Sequence, residues 1–293
     1  NHIPYRRSIG SGVVLLLLAI VFTGVVTRHV YSYPGQGAWI FNGLHLDQGN
    51  FDEFFGDKHE YDQMLDFALP AGNSIFVQDP RGDVNISGAS DDGRVHIAIH
   101  KQVYAHSDSD ANSRARKLSP HITSDGNILD LTVPSIDGTR ADLIITVPPT
   151  AAATVTANHG NVQISSIKAA VNATANHGDI ELSAITGPAT AHINSRGSSL
   201  SAHSLASGLT IEGRAQDLTL ADITGPVSVH GEFFGTSHFE HIAGPIHFHT
   251  SRTDYQLGRL DGEAEISPHS DLSTDQGVGP LVLTTSNRNI TLE

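Results

Sequence analysis

The sequence predicts an all-β protein, a parallel β-solenoid or β-helix with rungs of about 18 residues, preceded by one transmembrane helix. Three observations carry that expectation. Residues 9–27 form a run without a charged side chain. From residue 74 onward, apolar and polar residues alternate with the period of a strand. From residue 154 the chain falls into segments of 17 to 20 residues, in which the tetrapeptide ANHG recurs after eighteen.

Composition narrows the function classes. The net charge of −14 lacks the basic stripe that nucleic-acid phosphates require, so no nucleic-acid partner is expected. With no cysteine, disulfides and thiolate metal sites are excluded. Only 16% of residues are charged, with many small β-tolerant side chains among the rest, which suits a repetitive β architecture.

The chain opens with residues 1–8, expected as a cytoplasmic tail carrying Arg6 and Arg7. Residues 9–30 follow as a helix long enough to cross a hydrocarbon core. The paired arginines place the N-terminus in the cytoplasm and the rest of the chain outside it. The expected location is therefore the cell membrane, single-pass, with a periplasmic or extracellular ectodomain. A cleaved signal peptide is the rival reading, although no A-x-A-like site follows the apolar run. Residues 31–70 mix aromatics such as Trp39 and Phe54 with acids such as Asp52 and Glu60. They are read as a juxtamembrane linker with a short helix around 51–66.

The ectodomain is expected over 71–293, with N-terminal strands in 74–150 and regular repeats in 154–293. Residues 94–104 alternate with Val95, Ile97, Ile99 and Val103 on one face. Residues 108–118 place acids before bases and end at Pro120, which predicts a short helix. In the repeats, apolar positions superpose in columns. One is read as Val155, Ala173, Ala191, Leu209 and Val227; a second as Ala157, Ala175, Ile193, Ile211 and Val229. A third contains Ile164, Leu182, Ala202, Leu220, Phe239 and Leu257. Recurrent Gly-Pro pairs mark one corner of each rung, and Gly160, Gly178 and Gly197 mark another. Handedness stays open. The last segment breaks off at Glu293 within a strand-like pattern, so a longer chain is expected.

The turn Pro80-Arg81-Gly82-Asp83-Val84, the HGDI turn at 177–180 and the ITGP/IAGP corners resemble those of the bacterial putative-adhesin family, LiaG-like membrane-anchored envelope proteins. The resemblance implies a surface-displayed solenoid with an adhesive or envelope-stress role and no catalytic residues.

Eighteen histidines make metal binding a question to settle. In the repeat register, Glu212, His230 and His249 share one outward column, and His247 sits two residues from His249 on the same face. Imidazole nitrogen and carboxylate oxygen suit zinc, so these four residues are the candidate metal ligands. The plain alternative is exposed polar side chains filling outward strand positions. Asn158, Asn176 and Asn194 are read as an amide ladder in the same column of earlier rungs. Carboxylates such as Asp217, Asp222 and Glu240 are scattered rather than paired, and no G-x-S-x-G elbow occurs. The expectation is a noncatalytic binding scaffold or adhesin. An envelope-stress sensor and a β-helix carbohydrate-active enzyme are the alternatives. Apart from zinc no cofactor is expected. The expected partners are the membrane, an envelope glycan or protein, and a second copy through the solenoid ends.

Overall fold

The computed structural model describes residues 56–250 and five further strands, Asp254–Leu257, Ala264–Ser267, Leu272–Thr274, Leu281–Leu283 and Ile290–Leu292. The apolar segment 9–30 and residues 31–55 lie outside the described residues. Among the described residues no helix is long and apolar enough to cross a membrane.

The first described element is β1 (Asp57–Ala68). Residues expected as linker, and in part as helix, are a twelve-residue strand paired antiparallel along its whole length with β4 (Arg94–Ala105). The reason lies in the partner. His59, Tyr61, Leu65 and Phe67 alternate with exposed Lys58, Glu60, Asp62, Met64 and Asp66, and β4 supplies the ladder that makes this period the better choice. Between β1 and β4 lie β2 (Ser74–Asp79) and β3 (Val84–Ser87). After β4 come helix α1 (Asp108–Lys117), β5 (His121–Ser124), β6 (Ile128–Thr132) and β7 (Thr139–Thr146). The helix stands where the acid-to-base order placed it. Ser107 caps its N-terminus by accepting from the Asp110 amide, and Arg114, Arg116 and Lys117 occupy its last turn.

The repeats supply β8 (Ala152–His159), β9 (Val162–Ser165), β10 (Val171–His177) and β11 (Ile180–Ile185). They continue as β12 (Ala189–Asn194), β13 (Leu200–Leu205), β14 (Leu209–Ala215) and β15 (Leu218–Ile223). Next are β16 (Val227–Phe233), β17 (Thr236–Ile242) and β18 (Ile246–Thr250), followed by the five strands named above, β19 to β23. From β8 onward the even strands stack in parallel in one sheet and the odd strands in the other, each rung giving one strand to each. Paired residues in neighbouring rungs are 17 to 20 apart in sequence.

Rung order departs from chain order at the N-terminal end. β2 lies between β6 and β8, and β3 between β7 and β9, so the β6–β7 rung stacks outside the β2–β3 rung that precedes it in sequence. Antiparallel strands then cover this outermost rung: β5 pairs with β6, and β4 pairs with β7 and carries β1. The end expected to present bare strand edges is covered at this side, with an edge strand whose outward side chains are mostly charged.

The core is one continuous apolar cluster between the two sheets. Ala153, Ala157, Ala173 and Ala175 of one sheet are fully buried with Val162, Ile164, Ile180 and Leu182 of the other, small residues matched to large ones. Towards β18 the filling changes: Gly213 and Gly231 stand in register, and the volume is taken by Phe233, Phe239 and Phe248, with ring centroids 5.1 and 5.9 Å apart.

Pairing corrects two of the expected columns. Ala191 faces Ile211, not Leu209, and Ile193 faces Gly213, not Ile211. The third column, Ile164 to Leu257, stands as read. Two extra residues sit in the corner between β12 and β13 (Ser195-Arg196-Gly197-Ser198-Ser199), after the strand has begun in register. A two-residue slip preserves every in–out alternation, so hydrophobic pattern cannot detect it.

Each odd strand from β9 to β17 carries one residue with positive φ at or near its end: Ser166, Ala184, Ser204, Asp222 and His241. Each of these kinks is followed by a buried Ile or Leu, such as Ile185 after Ala184. Ala184 is exposed and loses no packing if shortened. Ala184→Gly is therefore expected to stabilise the protein by about 0.5 kcal/mol, the relief of left-handed strain less the added chain entropy. Urea unfolding of the two proteins measures it.

Candidate binding groove

The corners that follow β2, β8, β10 and β14 are built by a side-chain ladder. The Asp142 carboxylate accepts from the Asp83 amide, and Asp83 accepts from the Asn161 amide. The Asn161 side chain accepts from Asp179 N, Asp179 from Ser199 N, and Asp217 from Thr236 N, each at 2.8 Å. At each of these corners an acidic or amide oxygen thus satisfies a backbone donor of the neighbouring rung, whereas the β12–β13 corner has Ser199 at this position. The glycine before it lets the two backbones touch: a Cβ at Gly160 would lie 1.8 Å from Gly82 O, and one at Gly178 would lie 1.9 Å from Gly160 O. This explains the recurring Gly-Asp/Asn pair of RGDV, HGNV and HGDI.

That corner sets the residues just before it in parallel. His159 and His177 stack with ring centroids 4.8 Å apart and planes 5° apart. Beside them Asn176 Nδ2 donates to Asn158 Oδ1 at 2.7 Å, and Asn194 Nδ2 donates to Asn176 Oδ1 at 3.0 Å. The amide ladder expected from the sequence is formed. Its continuation differs from expectation: Asn194 faces Arg214, which faces Glu232, and these two are ion-paired at 3.2 Å. In the next corner the Arg196 guanidinium lies 4.8 Å from the Phe234 ring centroid.

The amides and imidazoles line a groove of about 410 Å³ together with Pro80, Arg81 and Ser135. Arg81 is exposed, and its nearest carboxylate, Asp137, is 4.0 Å away and fully exposed. Such a surface can stack a flat apolar face on imidazole and offer amide and guanidinium hydrogen bonds around it. Sequence reasoning read His177 as part of the HGDI turn, whereas His159 and His177 are the last residues of β8 and β10, and it missed Arg81, Pro80 and Ser135 as groove residues. They enter from β2–β3 and β6–β7, whose neighbourhood follows from the reordered rungs.

Beneath Arg81, the fully buried Asp79 accepts from the Arg81 amide at 3.0 Å through Oδ1, while its Oδ2 has no partner among the described residues. Burial pushes its carboxyl up to about 7, with the charges of Asp142 and Asp83 adding to the effect and the Arg81 amide and Arg140 opposing it. Arg140 bridges Asp83 and Asp142, both at 2.7 Å.

Of the four candidate metal ligands, Glu212 pairs in register with His230, and His230 with His249, so the backbone column is as expected. His247 pairs with Ser228 in the column two residues away. The His249 side chain lies outside the described residues. Glu212 contacts His192 of the preceding rung, at 3.3 Å, a neighbour the sequence reading passed over because of the register slip. Among the described residues no three His, Asp or Glu side chains are grouped to hold a metal ion. A separate His–carboxylate stripe runs across β1 and β4: His96 contacts Asp66 and Asp92, and His100 contacts Asp62. The hydrogen bond that His96 donates to the Asp66 carboxylate raises its imidazole above the ordinary range.

Fold and groove together define a parallel β-solenoid with a polar, imidazole-bearing groove along one corner. No protein-family model matches the chain, and no curated protein does. Solved structures that resemble it include a putative adhesin from Bacteroides fragilis, at 15% identity and TM-score 0.40, over 79% of this chain and 96% of that one. A putative adhesin from Parabacteroides distasonis is 16% identical with TM-score 0.36, over 81% and 96% of the two chains. A putative cell adhesion protein from Clostridium sporogenes is 11% identical with TM-score 0.30, over 81% and 100%.

Proposed function

We propose that this protein is a noncatalytic binding module of the bacterial cell envelope, tethered by residues 9–30, whose solenoid presents the His159–His177 groove to an envelope glycan. One observation carries the reading: two stacked imidazoles and a three-residue amide ladder run side by side into an accessible guanidinium. A sugar ring has the matching pair of surfaces, an apolar C–H face and a rim of hydroxyls. The imidazoles repeat over two rungs and the amides over three, an extent that suits a short oligosaccharide. The rest of the solenoid acts as a rigid support, because rung-to-rung pairing fixes these side chains without help from loops.

The purified full-length protein is expected to be retained saturably by isolated envelope polysaccharide in co-sedimentation. His177→Ala with Arg81→Ala should weaken retention about tenfold or more, the loss of one stacking surface and one charged donor. Retention of the double variant equal to wild type would remove the groove from the reading. No retention of either would turn it towards a scaffold for a protein partner.

A further inference from the structure

A second cleft, which shares no lining residue with the groove, lies between α1 and the edge strand β1. It encloses about 540 Å³ and is lined by Tyr61 and Gln63 of β1, Lys101 of β4, Asn112 and Arg116 of α1, and Ser119. Its unusual member is Lys101, only 4% exposed. The ammonium donates to Gln63 Oε1 at 2.6 Å, to Ser119 Oγ at 2.9 Å and to the Ala115 carbonyl at 3.1 Å. All three acceptors are neutral. A buried cation facing only neutral acceptors retains an uncompensated charge, and burial lowers its proton affinity.

We propose that this cleft is a binding site for a small organic carboxylate, which is held between Lys101 and Arg116 with its body against Tyr61. The ligand oxygen takes the place of Gln63 Oε1 on the ammonium. Gln63 stands half-buried on an edge strand, so its amide can turn and donate to the incoming carboxylate through Nε2. Arg116 is exposed at the mouth, in the last turn of α1. Asp62 also lines the cleft and points the selection towards a single negative charge. The remaining acceptors, Ser119 Oγ and Ala115 O, keep Lys101 oriented when the ligand leaves. The simpler role of the lysine is to tie the C-terminal end of α1 to β4, and that role makes no demand on an anion.

The test is titration of the full-length protein with D-glucuronate, and with D-glucose as the isostere lacking the carboxylate, followed by amide NMR shifts. Glucuronate is expected to shift residues of the cleft and glucose to leave them unmoved. Lys101→Met should weaken glucuronate binding about tenfold or more, and Arg116→Ala, an exposed change that leaves the fold intact, should weaken it severalfold. Equal shifts by the two sugars, no shift with glucuronate, or unchanged affinity in Arg116→Ala would each overturn the proposal. Because Arg81 and His177 lie outside this cleft, their double variant should bind glucuronate as wild type does, which separates this site from the polysaccharide groove.

Discussion

Gly160→Ala is expected to destabilise the protein by about 3 kcal/mol or more, a large effect for one methyl group. The added Cβ would meet Gly82 O at 1.8 Å and Gly82 C at 2.4 Å, both backbone atoms of the neighbouring rung. Neither can move alone, because Gly82 N is itself held by the His159 carbonyl at 3.0 Å, and Val84 N by Asn161 O. Relief would require the two rungs to part, breaking the ladder and tilting His159 away from His177. Gly197→Ala is the control. It occupies the next corner but one, where the two extra residues open the turn and no atom lies within 4 Å of a built Cβ. That variant should fall within about 0.5 kcal/mol of wild type in urea unfolding. Similar losses in both would mean that the corners, not the close approach, set the penalty.

Asp79→Asn is expected to stabilise the protein at pH 8 by about 2 kcal/mol and to change it little at pH 4. The folded-state carboxyl is raised to about 7 against an ordinary value of 3.8. Between those two values the folded chain binds the proton and the unfolded chain does not. The contribution of Asp79 is therefore fully present below about pH 4, falls as pH rises through 7, and is flat above. Asparagine cannot ionise and keeps an oxygen for the Arg81 amide, so it removes that decline. Other groups run in the opposite sense: the Arg94 amide and Ser90 hold Asp92 down to about 2, and that stabilisation is lost only in strong acid. The difference between variant and wild type across pH 4 to 8 isolates Asp79. A constant difference would show that its carboxyl stays ionised in the fold. Asp79 accepts from the backbone amide of Arg81, which borders the groove, so the carboxyl anchors that turn of the binding surface.

How much of this was legible beforehand depends on the residue. The ANHG repeat and the Gly-Asp corners are local and periodic, so the ladder of Asn158, Asn176 and Asn194 followed from spacing, whereas the stacking of His159 on His177 emerged only from the structure. Residues 57–68 were misread because their outward positions are charged and their inward ones mixed. Only the ladder to β4 settles them as a strand. Lys101 reads as one more polar side chain of an alternating strand. Its burial comes from α1 folding over that face, and no neighbour in sequence announces it.

By itself the sequence determined the architecture of the repeats: parallel rungs, buried apolar columns, glycine at the tight corners and a short capped helix. Each of these rests on interactions within one rung or its nearest neighbour, where period and residue type are sufficient. Tertiary structure alone decided the register beyond Asn194, the placing of the β6–β7 rung outside β2–β3, and hence which side chains meet in the groove and the α1 cleft. The physical reason is that a strand's side-chain period is two. Slips of two residues and exchanges of whole rungs leave the pattern intact, and only backbone pairing across distant segments tells them apart.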